Sequence, residues 1–155
     1  MLKIIDAQAG ENLESVRNLF EEYRDSLDFD LCFQDFDEEF ANLPVGYTPP
    51  KGCLLLATHQ GEAAGCVALR RSSEGVCEMK RLYVRPRFRR KGIGRVLAQT
   101  VIERAKKAGY SQMCLDTVPI MNAARCLYES LGFKKIDPYR FNPIEGAVFM
   151  ELTLI

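Results

Sequence analysis

The segment between residues 89 and 95 combines positive charge and glycine at a spacing that suits an anion-binding site. It is called the basic turn below and consists of Arg89, Arg90, Lys91, Gly92, Ile93, Gly94 and Arg95. An apolar run broken by Pro86 precedes it, and a long helical pattern follows it. Backbone N–H groups at a helix start attract anions, glycines leave those groups accessible, and basic side chains add charged donors. The basic turn is therefore predicted to bind a diphosphate.

A simpler interpretation of the basic turn is a solvated loop before a surface helix. Short glycine patterns are common and are weak evidence by themselves. The order of strand, proline, basic turn and helix favours phosphate binding. The turn is not a Walker loop, because Gly-Lys-Ser and Gly-Lys-Thr are absent. It is also a poor dinucleotide fingerprint, because Leu97 stands where the third small residue belongs.

Three predicted elements position the basic turn. A strand from Val76 to Val84 leads into it. The helix after the turn ends at Gly109, and its apolar face is formed by Ile93, Leu97, Val101, Ala105 and Ala108. A further helix is predicted from near Pro119 to Gly132, with an apolar face of Met121, Ala124, Leu127, Tyr128 and Leu131.

The rest of the chain predicts a mixed sheet with helices. A first helix is predicted to be capped by Asn12, and its apolar stripe is Leu13, Val16, Phe20, Tyr23 and Leu27. The acidic and aromatic segment 28–40 predicts a loop and a short second helix. The other predicted strands are 2–5, 53–58, 64–70, 113–116 and 146–154, with a hairpin turn at 59–62. These elements predict one mixed α/β domain over 1–155, with the ligand where the third long strand meets the basic turn.

Composition limits the class of protein. The chain has 155 residues, 47% of them hydrophobic and 27% charged, and its 21 basic and 21 acidic residues balance. That balance argues against a general nucleic-acid binder. Six cysteines without a Cys-x-x-Cys pair, and a single histidine, His59, predict no metal site. The absence of a signal peptide and of a membrane-spanning run predicts a cytoplasmic protein without a membrane partner.

Two motifs, Arg89 to Gly94 and the set of Asn122, Tyr128 and Gly132-Phe133, together resemble those of the GNAT superfamily of acetyl-CoA-dependent N-acyltransferases. The cofactor motif of that family is Arg or Gln, two residues, Gly, one residue, and Gly or Ala, which Arg89 to Gly94 match. The second motif is Asn, a Tyr six residues later, then Gly-Phe, which Asn122, Tyr128 and Gly132-Phe133 match. The resemblance spans about residues 52–152. It implies a twisted, mostly antiparallel sheet with helices on both faces, and acetyl-CoA as co-substrate.

The resemblance also assigns roles to residues outside the basic turn. Leu82 and Val84 are expected to bind the pantetheine arm through their backbones, as an added strand would, and a backbone N–H there to hold the thioester oxygen. Asn122 is expected to bind the pantetheine amides. Tyr128 is the candidate acid that protonates the departing thiolate; the alternative is a packing role in the core.

Glu78 is the candidate base. An alkylammonium has a pKa near 10.4, so an attacking amine must lose a proton near pH 7, directly or through water. Glu78 lies on the strand before the basic turn and matches the glutamate that the family places six positions before Val84. The alternative is a structural salt bridge to Lys80 or Arg81.

The predicted function is transfer of an acetyl group from acetyl-CoA to a primary amine of a small molecule, amino acid or peptide, by direct attack in a ternary complex. Two alternatives are a non-catalytic acyl-CoA sensor and an RNA-binding module that uses the basic run 80–95. The acceptor side is assigned only by weak patterns. The acidic segment 28–38 suits a cationic amine, but a solvated helix face is the favoured interpretation of it. Arg140, beside Tyr139 and Asn142, suits a carboxylate. The sequence does not decide between a monomer and a homodimer.

Overall fold

A single seven-stranded sheet organises the computed structural model, which describes residues 1–27, 36–117, 122–140 and 142–154. The strands are β1 (Leu2–Asp6), β2 (Cys53–His59), β3 (Glu62–Ser73), β4 (Val76–Val84), β5 (Gln112–Thr117), β6 (Lys134–Ile136) and β7 (Val148–Thr153). Their order across the sheet is β1-β2-β3-β4-β5-β7-β6. Every neighbouring pair is antiparallel except β4 and β5. The predicted mostly antiparallel mixed α/β fold is confirmed.

Helices cover both faces of the sheet. They are α1 (Gly10–Ser26), α2 (Phe36–Ala41), α3 (Ile93–Lys107) and α4 (Asn122–Ser130). Alternate residues of a strand point to opposite faces, so on β2 Leu55 joins the apolar cluster under α3, while Leu54 and Leu56 join the cluster under α1 and α2. Both faces are therefore buried, which explains why the central strands read as continuous apolar runs.

Two details of the predicted helices are wrong. The first helix begins at Gly10 and not after Asn12, and its N-cap, Ala9, makes no side-chain capping hydrogen bond. Leu27 lies at the C-cap in extended backbone, outside the helix. Packing of Val16, Leu19 and Phe20, all buried, holds the helix without a polar cap. The predicted short second helix is confirmed as α2, but most of the acidic segment before it, 28–35, lies outside the described residues.

The strands differ from the predictions at their ends. The hairpin turn contains only Gln60 and Gly61, and His59 is the last residue of β2. Strand β6 was missed, because three residues with two exposed lysines carry no alternating pattern. A short 3₁₀ helix, Pro86–Phe88, stands between β4 and the basic turn. None of the described helices is long and apolar enough to span a membrane.

Candidate active site

A cleft of about 700 Å³ opens where β4 ends and α3 begins. Its walls come from the end of α1, the end of β4, the basic turn and α4, and include Leu27, Leu82, Val84, Gly92, Gly94 and Leu127. This is the place at which the ligand was predicted, beside the third long strand. The cleft contains every described residue of the basic turn except Lys91, which lies exposed in the same turn.

The basic turn begins α3 through a left-handed backbone. Gly92 is the N-cap of the helix with φ 79°, and Arg90 also has positive φ, at 66°. A Cβ at Gly94 would lie 3.7 Å from both Leu127 and Val84, two walls of the cleft. The missing side chain at position 94 therefore keeps the cleft open, and the N–H groups of the first turn of α3 are donors of the kind that can bind an anion at a helix start.

Two charged side chains of the basic turn, Arg89 and Arg95, have partners in the protein. The Arg89 Nε donates to the Val84 carbonyl at 2.9 Å, and the Arg95 guanidinium donates to the Ser130 hydroxyl at 2.8 Å. Arg89 also lies 5.8 Å from the centre of the Tyr83 ring. These contacts hold two of the four predicted cations at the rim of the cleft.

A bulge in β4 opens the edge of the strand beside the cleft. Arg81 has φ 59°, and the register with β3 shifts there, since Cys66 pairs with Tyr83 but Ala68 pairs with Lys80. The parallel pairing with β5 is recorded only up to Glu78 and Cys114. Beyond that pair β4 has an edge that is not part of the β5 ladder. An extended molecule can pair with such an edge.

Glu78 lies at the point where β4 and β5 separate. It is 1% exposed, and its carboxylate accepts hydrogen bonds from Arg70 at 3.0 Å, from the Tyr139 hydroxyl at 2.8 Å and from Arg140. Its ion-pair partners are thus Arg70 and Arg140. The expected alternative partners, Lys80 and Arg81, both pair with Glu39 instead. The expected pairing with Lys80 or Arg81 was based on their closeness in the sequence, whereas Arg140 lies 62 residues from Glu78 along the chain.

The segment that carries Arg140 is fixed by two carboxylates. Arg140 also donates to Asp116 at 3.0 Å, and Asn142 donates to the same carboxylate at 3.1 Å. Arg140 was predicted to suit a carboxylate, and it meets two that belong to the protein itself. Asp116 was not predicted from the sequence as part of the site, because a single acidic residue at a strand end carries no spacing signal.

Tyr128 faces a second, polar cavity of about 30 Å³ that adjoins the cleft. Leu82 lines both spaces, and the polar cavity is also lined by Tyr23, Met79, Lys80, Arg81, Asp116, Thr117 and Tyr128. Tyr128 is 6% exposed, and its ring lies 5.7 Å from that of Phe133. Burial raises the pKa of its phenol above the ordinary value of 10.0. The hydroxyl therefore stays protonated at neutral pH. The structure brings Tyr128 to the strand that lines the cleft, while the Asn122 side chain lies outside the described part.

Glu39 of α2 is a site neighbour that the sequence pattern did not single out. Its carboxylate accepts from the Arg81 Nε at 2.9 Å and lies 3.7 Å from the Lys80 Nζ. Burial by itself raises the pKa of Glu39, but Arg81 and Lys80 lower it more, so the net pKa lies below 4.5. Burial and the neighbouring Arg81 lower the pKa of Lys80 to about 8. The helix α2 is thus attached to β4 by buried charge.

Replacing Glu39 with glutamine is expected to destabilise the fold by about 3 kcal/mol at pH 7, because it removes one partner of a buried ion pair. The loss is expected to shrink as the pH falls below about 4.5, since a carboxylate whose folded pKa is lowered stabilises only above its unfolded pKa. Urea unfolding at several pH values measures this. Glu62→Gln, which removes the partner of Arg87 on the surface, is the control and should cost less than about 1 kcal/mol. Equal losses for the two variants at pH 7 would contradict the assignment.

The basic run 80–95 does not form one exposed positive surface. Lys80 and Arg81 are 6% and 4% exposed, and Arg85 is paired with Glu22 at 2.7 Å. Phosphate-backbone binding needs accessible cations along a face. The placement of these three residues argues against the RNA-binding alternative.

Comparison with known proteins agrees with this arrangement. Residues 13–133 match the model of the acetyltransferase (GNAT) family. An uncharacterized N-acetyltransferase of Schizosaccharomyces pombe is 42% identical over 146 residues, 93% of this chain and 90% of that protein. The N-acetylaspartate synthetase of Danio rerio is 38% identical over 100 residues, 63% of this chain and 36% of that protein.

A solved structure shares the fold. The PaiA N-acetyltransferase of Thermoplasma acidophilum, in complex with coenzyme A, matches over 99% of both chains with a TM-score of 0.74 at 18% identity. At that identity the likeness concerns the fold alone. The family match covers most of the chain and includes β4, the basic turn and Tyr128. Together with the sheet and the cleft, it shows that this chain belongs to the acetyltransferase (GNAT) family and is an N-acetyltransferase.

Proposed function

We propose that the protein transfers the acetyl group of acetyl-CoA to a primary amine by direct attack within a ternary complex. The observation that carries the proposal is the cleft in which the start of α3 meets the open edge of β4. One end of such a cleft suits a diphosphate and the other suits an extended amide chain. A coenzyme A thioester has both parts.

The chain fits that co-substrate in three respects. The N–H groups of the basic turn and its arginines meet the diphosphate, and Gly94 leaves room for it. The backbones of Leu82 and Val84 pair with the pantetheine arm, and Asn122, the first residue of α4, binds its amides. Because Arg89 donates to the Val84 carbonyl, we expect that hydrogen bond to break when the arm pairs with Val84, which leaves Arg89 available for a phosphate.

The reaction needs a base and an acid on this chain. The amine nitrogen bonds to the thioester carbon, the bond from that carbon to sulfur breaks, and the amine proton passes to Glu78 through water. Glu78 is held in place by Arg70, Tyr139 and Arg140. Tyr128 gives its phenolic proton to the departing sulfur and recovers one from solvent. A backbone N–H near Leu82 stabilises the charge that develops on the carbonyl oxygen.

The direct test is a panel of amines with detection of the free thiol of released coenzyme A. The panel includes free amino acids, small primary amines and short peptides, and aspartate is included because one relative is named an N-acetylaspartate synthetase. Amine-dependent thiol release is expected. A rise in melting temperature with acetyl-CoA but no thiol release with any amine would favour the non-catalytic sensor.

Direct attack predicts that no cysteine carries the acetyl group. Cys53, Cys66, Cys77 and Cys114 are buried. Burial raises the pKa of each of the four thiols, to about 11 for Cys53 and about 12 for Cys77. A protonated thiol is a poor nucleophile. After incubation with acetyl-CoA alone, mass spectrometry of the intact protein is expected to show no stable acetyl adduct. A stoichiometric acetyl-cysteine that an amine then removes would replace direct attack with a two-step reaction.

A further inference from the structure

In the part of the chain that the structure describes, the polar cavity beside Leu82 is lined by one buried donor without a hydrogen-bond partner, Thr117, and by one ammonium held by a long ion pair, Lys80. The Thr117 Oγ1 is fully buried and has no hydrogen-bond partner among the described residues. Lys80 is 6% exposed, and within the described part of the chain its ammonium is held only by the ion pair with Glu39, at 3.7 Å. Buried polar groups normally have partners, and a buried charge is costly without them. The Thr117 hydroxyl, unpaired among the described residues and in the same cavity as an ammonium that has a single distant carboxylate there, therefore points to a molecule that brings acceptor atoms.

The nearby carboxylates of the protein meet this need only in part, through the long ion pair between Glu39 and Lys80. Glu39 accepts from Arg81 at 2.9 and 3.3 Å and from the Tyr47 hydroxyl. Asp116 lines the cavity, but its two oxygens accept from Arg140 and Asn142. Glu78 is held by Arg70, Tyr139 and Arg140. Each of these carboxylates is thus bound to other donors. Burial lowers the pKa of Lys80 to about 8, so its ammonium is still mostly protonated at pH 7.

The size and position of the cavity indicate which ligand fits it. Its volume of about 30 Å³ is room for about two water-sized groups, which corresponds to the two oxygens of one carboxylate. Water would supply acceptor atoms but no negative charge, whereas a carboxylate supplies both. Leu82 lines the polar cavity and also the cleft. An amino acid whose carboxylate occupies the cavity therefore has its α-amine near the strand along which the thioester is proposed to lie.

We propose that Lys80 and Thr117 form the binding site for the carboxylate of the acceptor, so that the acceptor is a free amino acid acetylated on its α-amine. The proposal rests on the proposed function, because it assigns the acceptor of that reaction. Lys80 provides the charge, and Thr117 provides a second donor from the facing strand β5. Arg81, which also lines the cavity, is paired with Glu39.

The test compares amino acids with their own α-amides. L-alanine, L-aspartate and L-leucine are each measured against the matching α-amide, which keeps the amine and the side chain but lacks the negative charge. We expect kcat/KM at least about tenfold higher for the acid of the preferred pair, since a hydrogen bond to a charged group contributes about 1.5–3 kcal/mol. The lower amine pKa of an amide favours the amide, so the comparison is conservative.

Substitutions then test which residues cause the preference for the acid over the amide. In Lys80→Met the ratio of kcat/KM for the acid to kcat/KM for the amide is expected to fall close to one. Thr117→Val is expected to lower this ratio severalfold. Lys107→Met, which changes an exposed lysine of α3, is the matched control. Thermal unfolding confirms that each variant is folded; Thr117→Val keeps the shape of the side chain and provides the test if Lys80→Met does not fold. Equal use of acids and amides by the unaltered enzyme, or an unchanged ratio in both folded variants, would show a water site and overturn the proposal.

Calorimetric titration of the amino acids in the presence of coenzyme A, which cannot donate an acetyl group, separates this proposal from the reaction itself. Binding that Lys80→Met weakens at least about tenfold, with no turnover of any amine, would support the carboxylate site and refute the proposed reaction. Turnover of amines without any preference for a carboxylate would support the reaction and refute the site.

Discussion

Replacing Gly94 with valine is expected to weaken acetyl-CoA binding by about 10- to 100-fold. A Cβ at this position would already touch Leu127 and Val84 at 3.7 Å, so the two further methyl groups of valine must occupy the cleft between them. When acetyl-CoA fills the cleft, these extra groups overpack the complex at a cost of about 1–3 kcal/mol, and each 1.4 kcal/mol is tenfold in affinity. Isothermal titration with acetyl-CoA measures the change.

Position 94 allows a cleaner test than position 92. Gly92 has φ 79°, so a side chain there strains the backbone whatever the space around it. Gly94 lies inside the first turn of α3, where valine is a better helix former than glycine. Gln99→Val, on the exposed side of the same helix, is the control and should bind acetyl-CoA like the unaltered protein. A folded Gly94→Val protein with unchanged affinity would remove the cleft from the binding site.

Replacing Tyr128 with phenylalanine is expected to lower kcat by about a hundredfold and to change acetyl-CoA affinity little. A positioned acid contributes on that order, and its bond to the departing sulfur is strongest in the transition state, so the loss falls on kcat. The ring that packs against Phe133 is retained. Steady-state kinetics with a working amine, together with titration of acetyl-CoA, gives both quantities.

Tyr110→Phe is the matched control for this substitution. Tyr110 is also buried, and its hydroxyl donates to the Lys51 carbonyl at 2.6 Å, away from both cavities. Loss of that hydrogen bond is expected to cost about 1 kcal/mol of stability and to leave kcat unchanged. If Tyr128→Phe retains full kcat while chemistry is rate-limiting, Tyr128 is a packing residue and another group protonates the thiolate.

The local parts of the site could be predicted from the sequence. The strand 76–84, the basic turn and the helix that begins at Ile93 all follow from apolar periodicity and from glycine, which determine structure within a few residues. The placement of Tyr128 near β4 followed from a family resemblance. The short strand β6 and the start of α1 were missed or misplaced, because packing and not a local signal determines them.

The partners of the buried charges were decided only by the tertiary structure. The sequence assigned Arg140 to a carboxylate without indicating which one, and the fold brings it to Glu78 across 62 residues. Glu39 reaches Arg81 across 42 residues, at a bulge that turns that side chain toward α2. Local backbone preferences act over a turn of helix or a pair of strands, whereas ion pairing depends on which elements the core brings together. The sequence by itself therefore determined the strand, the basic turn and the helix that border the cleft, and the packing of β4 against α2 and β5 decided which charges line the polar cavity.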